Sequence, residues 1–477
     1  MHRTDDSSLI TTRRDFLRSS ALGAGAAWAG AASAWQPQTA LAAPAVRGGD
    51  RPNFLFILCD QLSLNAIAAH GCKDAHTPNL DRLVRRGVTF LESHSTNPVC
   101  SPARSSLFTG RMPVETGVIQ NNLPIHPSCP NTGQWLARAG YESYYCGKWH
   151  LPEGYPTQIK GFTILPAGKG QGDLVDSVVS RWAEAFLKNR RSKAPFLLVA
   201  SLLQPHDICY WAIRPNLLVP GQLPFARIAD RLPELPPNHH SNPKAPAALA
   251  SKTYKGFSED QWRYYLYIYY RQVEMVDAQI GRMLDALEES GRDRDTIVMF
   301  TADHGEGGGR HMHVQKWYPY DEALKVPMIV SCPGRMAEGL LDRTHLVSGL
   351  DVIATMCDYA GIAPPPKCRG LSLRPLLEQR PAQWREFVGA EYQLRGRVLR
   401  TERFKYTRFE GDPIEQLFDM QADPWEMTNL CDDPQYAGSM AEHRKLLDRW
   451  EASLEPVTPP PRPVPAKRRP LSNRRVP

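Results

Sequence analysis

Several things are scarce in this 477-residue chain, and each absence excludes a class. Beyond the first 43 residues nothing approaches about 18 consecutive apolar residues, so no stable membrane insertion is expected. The ten cysteines include no Cys-x-x-Cys pair, which argues against a zinc ribbon or a thioredoxin-like site. An oxidising compartment would permit disulfides, but a chain this long does not need them, and no pairing follows from the sequence. No internal repeat is visible. Positive charge is scarce where a nucleic-acid site would need it. The formal charge is +7, yet residues 456–477 carry Arg462, Lys467, Arg468, Arg469, Arg474 and Arg475 without an acid, and residues 1–43 hold one further excess positive charge. The body between is close to neutral, so a nucleic-acid partner is not expected.

What is present begins with an address. Arg13-Arg14, then Phe16-Leu17 and a weakly apolar Ala/Gly run, resemble a twin-arginine export signal over residues 1–43. Small-residue cleavage sites follow at Ala32-Ser33-Ala34 and Ala40-Leu41-Ala42. The resemblance implies a twin-arginine translocase as partner and a periplasmic or secreted destination.

The folded part starts near Arg51. Apolar runs of strand length recur at 53–59, 144–146, 195–200, 296–300 and 326–330. Runs without alternation suit strands buried on both faces, as in a parallel sheet covered by helices. Ser258 with Gln261 forms a capping box ahead of Val273, Val276, Ile280, Leu284 and Leu287 at helical spacing, stopping at Gly291. The expectation is an α/β domain over 51–370 with a mostly parallel central sheet flanked by helices. Residues 213–250, rich in proline, read as a long surface loop. Arg397–Arg400 and Phe404–Phe409 alternate like half-exposed antiparallel strands, which predicts a smaller C-terminal α+β domain over 371–455. The Pro- and Arg-rich 456–477 end is expected to be disordered.

Polar residues punctuate the ends of these strands: Asp60-Gln61, Lys148 and His150, Pro205-His206-Asp207, and Asp303-His304-Gly305-Glu306. In open α/β sheets the ligand crevice lies beyond the carboxyl ends of the strands. A solvated turn explains any one pair, but not four at corresponding ends. Asp60, Gln61, Asp303 and His304 offer mostly oxygen donors and one imidazole. Such a set favours calcium or magnesium and leaves manganese or zinc open. Lys148 and His150, two apart after a strand, are expected to project from one face of extended backbone. Cys100 precedes Pro102 at a helix start, close to amide donors suited to an oxyanion. On physical grounds alone Cys100 is an activated thiolate or a buried structural cysteine.

Cys100-Ser101-Pro102-Ala103-Arg104, continued by Ser-Leu-Phe-Thr-Gly-Arg, resembles the signature of type I sulfatases of the alkaline-phosphatase superfamily. Thr77–Leu83, Gly147–His150, the Lys316–Glu322 stretch, Leu417–Asp419, Asp423-Pro424 and Asn429-Leu430 extend the likeness over about residues 51–435. The resemblance implies an alkaline-phosphatase-like fold and hydrolysis of sulfate monoesters, such as those of a sulfated carbohydrate or similar small ester. It implies that a maturation enzyme oxidises Cys100 to formylglycine (3-oxoalanine), whose hydrated aldehyde attacks sulfur. By the same resemblance one divalent cation, calcium with manganese or magnesium as alternatives, is held by Asp60, Gln61, Asp303, His304 and the converted Cys100. Arg104 and Lys148 then stabilise the nucleophile, and His150 is the base for the second step. His206 and Lys316 bind sulfate and assist the leaving oxygen, and His311 lines the site or is an exposed loop histidine. Many sulfatases have Asp-Asp and Asp-Asn where this chain has Asp60-Gln61 and Asp303-His304. The departure resembles a branch that also holds choline sulfatases and phosphonate monoester hydrolases, so a phosphodiester or phosphonate monoester hydrolase is the alternative enzyme. A non-catalytic glycan-binding role fits poorly, since every nucleophile, metal and cation position is filled.

Replacing Arg13 and Arg14 with lysines should stop export of the folded protein, measured as its retention in the cytoplasmic fraction, because the transporter reads the arginine pair. Unchanged export would point to another route.

Overall fold

The computed structural model describes residues 51–152, 156–213, 226–250, 256–392 and 395–462. All of them belong to one compact unit, residues 42–477. The signal-like segment, most of the basic tail and residues 214–225 of the proline-rich stretch lie outside the described residues.

The strand Asn53–Asp60 shows why the sheet forms. Phe54, Phe56 and Leu58 point into one apolar layer with Leu107, Phe108, Val352 and Met356. Leu55, Ile57 and Cys59 point into the opposite layer with Val175, Val179, Val273, Val276 and Ile280. A strand buried on both faces needs no polar alternate, which is what the unbroken apolar run signalled. The layers come from the helices Cys100–Thr109 and Asp351–Ala360 on one side, and from Gly172–Asn189 and Glu259–Glu289 on the other. Ser258 Oγ accepts from Gln261 N–H and Gln261 Oε1 accepts from Ser258 N–H, so the long helix starts at its capping box.

The main sheet has eight strands, ordered Thr163–Leu165, Glu142–Gly147, Phe196–Pro205, Asn53–Asp60, Thr296–Ala302, Met328–Ser331, Val88–Phe90 and Leu340–Asp342. The first five run parallel. Met328–Ser331 is antiparallel to both its neighbours, so that run is not one of the parallel strands. Apolar continuity reports burial on two faces and carries no information about strand direction.

A second sheet of four antiparallel strands, Phe387–Tyr392, Gly396–Thr401, Phe404–Phe409 and Gln416–Asp419, holds the C-terminal region. It is not half-exposed. Leu399, Tyr406 and Leu417 pack on Met440, Leu446, Leu447 and Trp450 of the helix Ala437–Ser453. Tyr392, Phe409 and Phe418 pack on Tyr318, Tyr320 and Ala323 of the larger sheet's connections. Order continues past residue 455, where Val457 N–H donates to Val114 O. The proline-rich stretch also buries part of itself, through Leu232, Asn238, His239 and Leu249.

One ion triad ties the small sheet to the large one. Buried Lys405 reaches Asp321 at 2.8 Å and Glu426 at 2.5 Å. Removing one partner of a buried set leaves uncompensated charge, a cost of about 3–5 kcal/mol. Lys405→Met should therefore lose about 3–5 kcal/mol in urea unfolding. A loss below about 1 kcal/mol, the scale of a surface ion pair, would contradict this.

Candidate active site

The four parallel strands Glu142–Gly147, Phe196–Pro205, Asn53–Asp60 and Thr296–Ala302 end at one edge of the sheet. Beyond those ends stand Lys148, His206, Gln61, Asp303 and His304. Against them the helix Cys100–Thr109 presents its first residue, Cys100, after an extended Val99. This helix is buried along its whole length, which explains its lack of amphipathic pattern. Ser101 N–H donates to Asn121 Oδ1 at 2.9 Å, and the helix aims its positive end at the site.

Arg104 sits one turn after Cys100 and is fully buried. Its Nε donates to Asp303 Oδ2 at 2.8 Å and its Nη2 to Asp60 Oδ2 at 3.0 Å. Nη1 donates to Lys148 O at 2.8 Å and Ser201 Oγ at 2.9 Å. Its five-donor fork thus clamps residues from all four strand ends, and it acts on Cys100 through the two carboxylates rather than by touching it. Lys148 Nζ lies 2.7 Å from Asp60 Oδ2 and 3.9 Å from Cys100 Sγ. The turn into Lys148 needs Gly147, at φ 99°, because a Cβ there would stand 1.9 Å from Ser201 O. His150 has φ 64°, so Lys148 and His150 do not share a face of extended backbone. The strand has already ended at Gly147, and the chain turns. The Nδ1 atoms of His150 and His206 are both buried without a hydrogen-bond partner.

Lys316 Nζ donates to Gln61 Oε1 at 2.7 Å and to Cys100 Sγ at 3.3 Å. His304 Nε2 lies 3.2 Å from the same sulfur. Asp60 Oδ1 is 3.8 Å from that sulfur, and His206 Nε2 is 4.0 Å from Asp60 Oδ1. Burial and Asp60 raise the Cys100 thiol pKa, but Lys148, Lys316 and His304 outweigh them and hold it well below the ordinary thiol value. For His206, burial followed by Lys316 and Lys148 depresses the imidazole well below its usual value.

Ligand atoms of Asp60, Cys100, Asp303 and His304 all lie within 4.8 Å of one another. His304 Nδ1 donates to Gly305 O at 2.9 Å, which leaves the Nε2 lone pair facing the cluster, the arrangement of a metal-binding imidazole. Two carboxylates and one oriented imidazole, all buried, fit a divalent cation. Gln61 stands beside this set, with its amide oxygen engaged by Lys316. His311 is neither exposed nor joined to Cys100 by any hydrogen bond among the described residues. Its Nε2 meets Asn238 Nδ2 at 3.1 Å and its ring stacks on Tyr320 at 4.3 Å, and burial pushes its pKa down to about 4.

Three contributors escaped the sequence reading as site residues: Ser201, Cys209 and Glu306. Ser201 is the one hydroxyl in the otherwise apolar run Phe196–Leu203, and Glu306 closes Asp303-His304-Gly305-Glu306; both were visible signals. Cys209, whose Sγ lies 3.2 Å from Gln61 Nε2, had none.

This edge-of-sheet constellation of fixed cations, a metal-competent cluster and a helix start suits a protein that handles an oxyanion. The sulfatase family profile matches residues 52–362, and a profile described as N-sulphoglucosamine sulphohydrolase, C-terminal, matches 309–453. A Delta 4,5-hexuronate-2-O-sulfatase of Bacteroides thetaiotaomicron is 32% identical over 442 residues, covering 86% of this chain and 91% of that one. A solved 2-O GAG sulfatase superposes with TM-score 0.74 at 30% identity, over 86% of this chain and 95% of the other. The phosphonate monoester hydrolase of Agrobacterium radiobacter shares the fold, with TM-score 0.67 at 24% identity over 84% and 96% of the two chains. The chain belongs to the sulfatase family and hydrolyses sulfate esters. Among the described residues no helix is long and apolar enough to cross a membrane.

Proposed function

We propose that the protein is an exported, formylglycine-dependent sulfatase that removes sulfate from a sulfated glycan fragment with the help of one divalent cation. The observation that carries this reading is the placement of Cys100: first residue of a buried helix, between Lys148, Lys316, His304 and Asp60. The sulfur stands in for the oxygens of the hydrated aldehyde. Once converted and hydrated, residue 100 would carry two geminal hydroxyls, one to bond sulfur as the S–O bond to the alcohol breaks and the other to re-form the aldehyde as sulfate leaves. Asp60, Gln61, Asp303 and His304 would hold the cation, calcium by the hardness of the oxygen donors, and the cation would neutralise charge on the sulfate oxygens.

The chain's own residues do the rest. Lys148 and Lys316 place two ammonium groups beside the reacting side chain, where fixed cations stabilise charge as it develops. Arg104 fixes Asp60 and Asp303 before substrate arrives. His150, with an unengaged Nδ1, takes the proton of the second hydroxyl. His206 and Lys316 face the sulfate and the leaving oxygen. His311 holds the 238–241 segment against the connection that carries Lys316, and so shapes the rim. The names of the relatives support a uronic-acid-containing glycan as the substrate class.

Dialysis against a chelator should abolish hydrolysis of a 2-O-sulfated unsaturated disaccharide, and calcium or manganese should restore it. In Asp303→Ala most of the fold should persist, at lower stability because buried Arg104 loses a partner, while turnover collapses and added metal restores nothing. Full activity in metal-free protein would rule the metal role out.

A further inference from the structure

Glu306 is fully buried beside the catalytic cluster and has no part in the chemistry described so far. Its Oε1 accepts from Tyr265 Oη at 2.7 Å, Gln315 N–H at 2.7 Å and Gly308 N–H at 3.2 Å, and its Oε2 accepts from Gln61 Nε2. This carboxyl therefore receives four hydrogen bonds, three at Oε1 and one, from Gln61, at Oε2.

Two of those donors lead to Lys316. Gln61 turns its Nε2 to Glu306 and its Oε1 to Lys316 Nζ, which reaches Cys100 Sγ. An amide has two ends of nearly the same shape, and only its partners decide which end points where. With Glu306 behind it, the oxygen must face the ammonium. The second donor, Gln315 N–H, belongs to the residue just before Lys316. Gln315 and Trp317 both adopt positive φ, 64° and 89°, so Lys316 rides on backbone that persists only where its surroundings hold it.

From this geometry we infer that Glu306 is the positioning residue of the active site, fixing the polarity of the Gln61 amide and the backbone beside Lys316 so that the ammonium is aimed at the reacting side chain. Glu306 acts through Gln61 and Gln315 and touches neither substrate nor Cys100. The inference rests on the assignment of Lys316 to sulfate handling, which Lys316→Ala tests separately by its own loss of activity.

Glu306→Gln keeps the volume but places an NH2 where Oε2 stood. The Gln61 amide then turns over and offers its own NH2 to Lys316, donor against donor. kcat/KM for the sulfated disaccharide should fall roughly 10- to 100-fold, the scale of a small misplacement, with the urea midpoint close to wild type. Exchanging the pair, Gln61→Glu with Glu306→Gln, restores an acceptor toward Lys316, keeps an oxygen donor at position 61 for the cation, and should recover activity to within about tenfold of wild type. A carboxylate needed only for folding would not be rescued by moving it to position 61. The inference is overturned if Glu306→Gln matches wild type while Lys316→Ala is inactive, or if the exchanged pair is no better than Glu306→Gln alone. If Glu306→Gln does not fold, the exchanged pair decides alone: activity within about tenfold of wild type supports the inference, and its loss overturns it.

Discussion

One buried guanidinium holds the strand ends of the proposed active site together. Arg104 reaches Asp60, Asp303, Lys148 O and Ser201, and so joins the ends of four strands to the helix that carries Cys100. A parallel sheet delivers side chains to a common edge but does not fix their distances. The fork of Arg104 does so, since each of its nitrogens is engaged and none of its partners is free to turn away. Ion pairs with no exposure at either end are costly to break, because the partner left behind is a charge without water. The architecture of the sheet and the chemistry proposed for the site therefore meet in a residue that does not hydrogen-bond Cys100.

Around Cys100 the balance of charge is set for an anion. Two ammonium groups and the His304 imidazole surround the sulfur, while the two nearby carboxylates are neutralised from behind by Arg104 and from the side by Lys148. Such an environment would make an unconverted cysteine a reactive thiolate. It equally suits the deprotonated hydroxyl of a hydrated aldehyde and the oxygens of a bound sulfate. That double suitability is why residue chemistry alone left the state of Cys100 open, and why the family resemblance was needed to choose.

The fold was legible where burial is two-sided or capping is explicit. The strand at 53–60 and the helix opened by Ser258 follow from composition and spacing, and the crevice follows from polar residues at four strand ends. Strand direction was not legible: the run at 326–330 is as apolar as its neighbours yet runs the other way. The C-terminal strands read as half-exposed because Lys405 and Arg408 alternate with aromatics. The structure buries Lys405 against Asp321, 84 positions away, and Glu426, 21 positions away, a pairing that no local pattern reveals. In the site the spacing of Lys148 and His150 suggested a shared face, and the left-handed turn at His150 removed it. Glu306 was printed in the strand-end punctuation but its partners, Gln61 and Gln315, are brought to it only by the folded connection.

The proposed chemistry lies in Cys100 itself, and its most direct test is the mass of the peptide that contains it. The protein, produced with a formylglycine-generating enzyme and active on a sulfated disaccharide, should yield a Cys100 peptide about 18 Da lighter than the thiol form, with activity rising in proportion to the lighter fraction. Full activity in protein whose Cys100 remains an unmodified thiol would contradict the account.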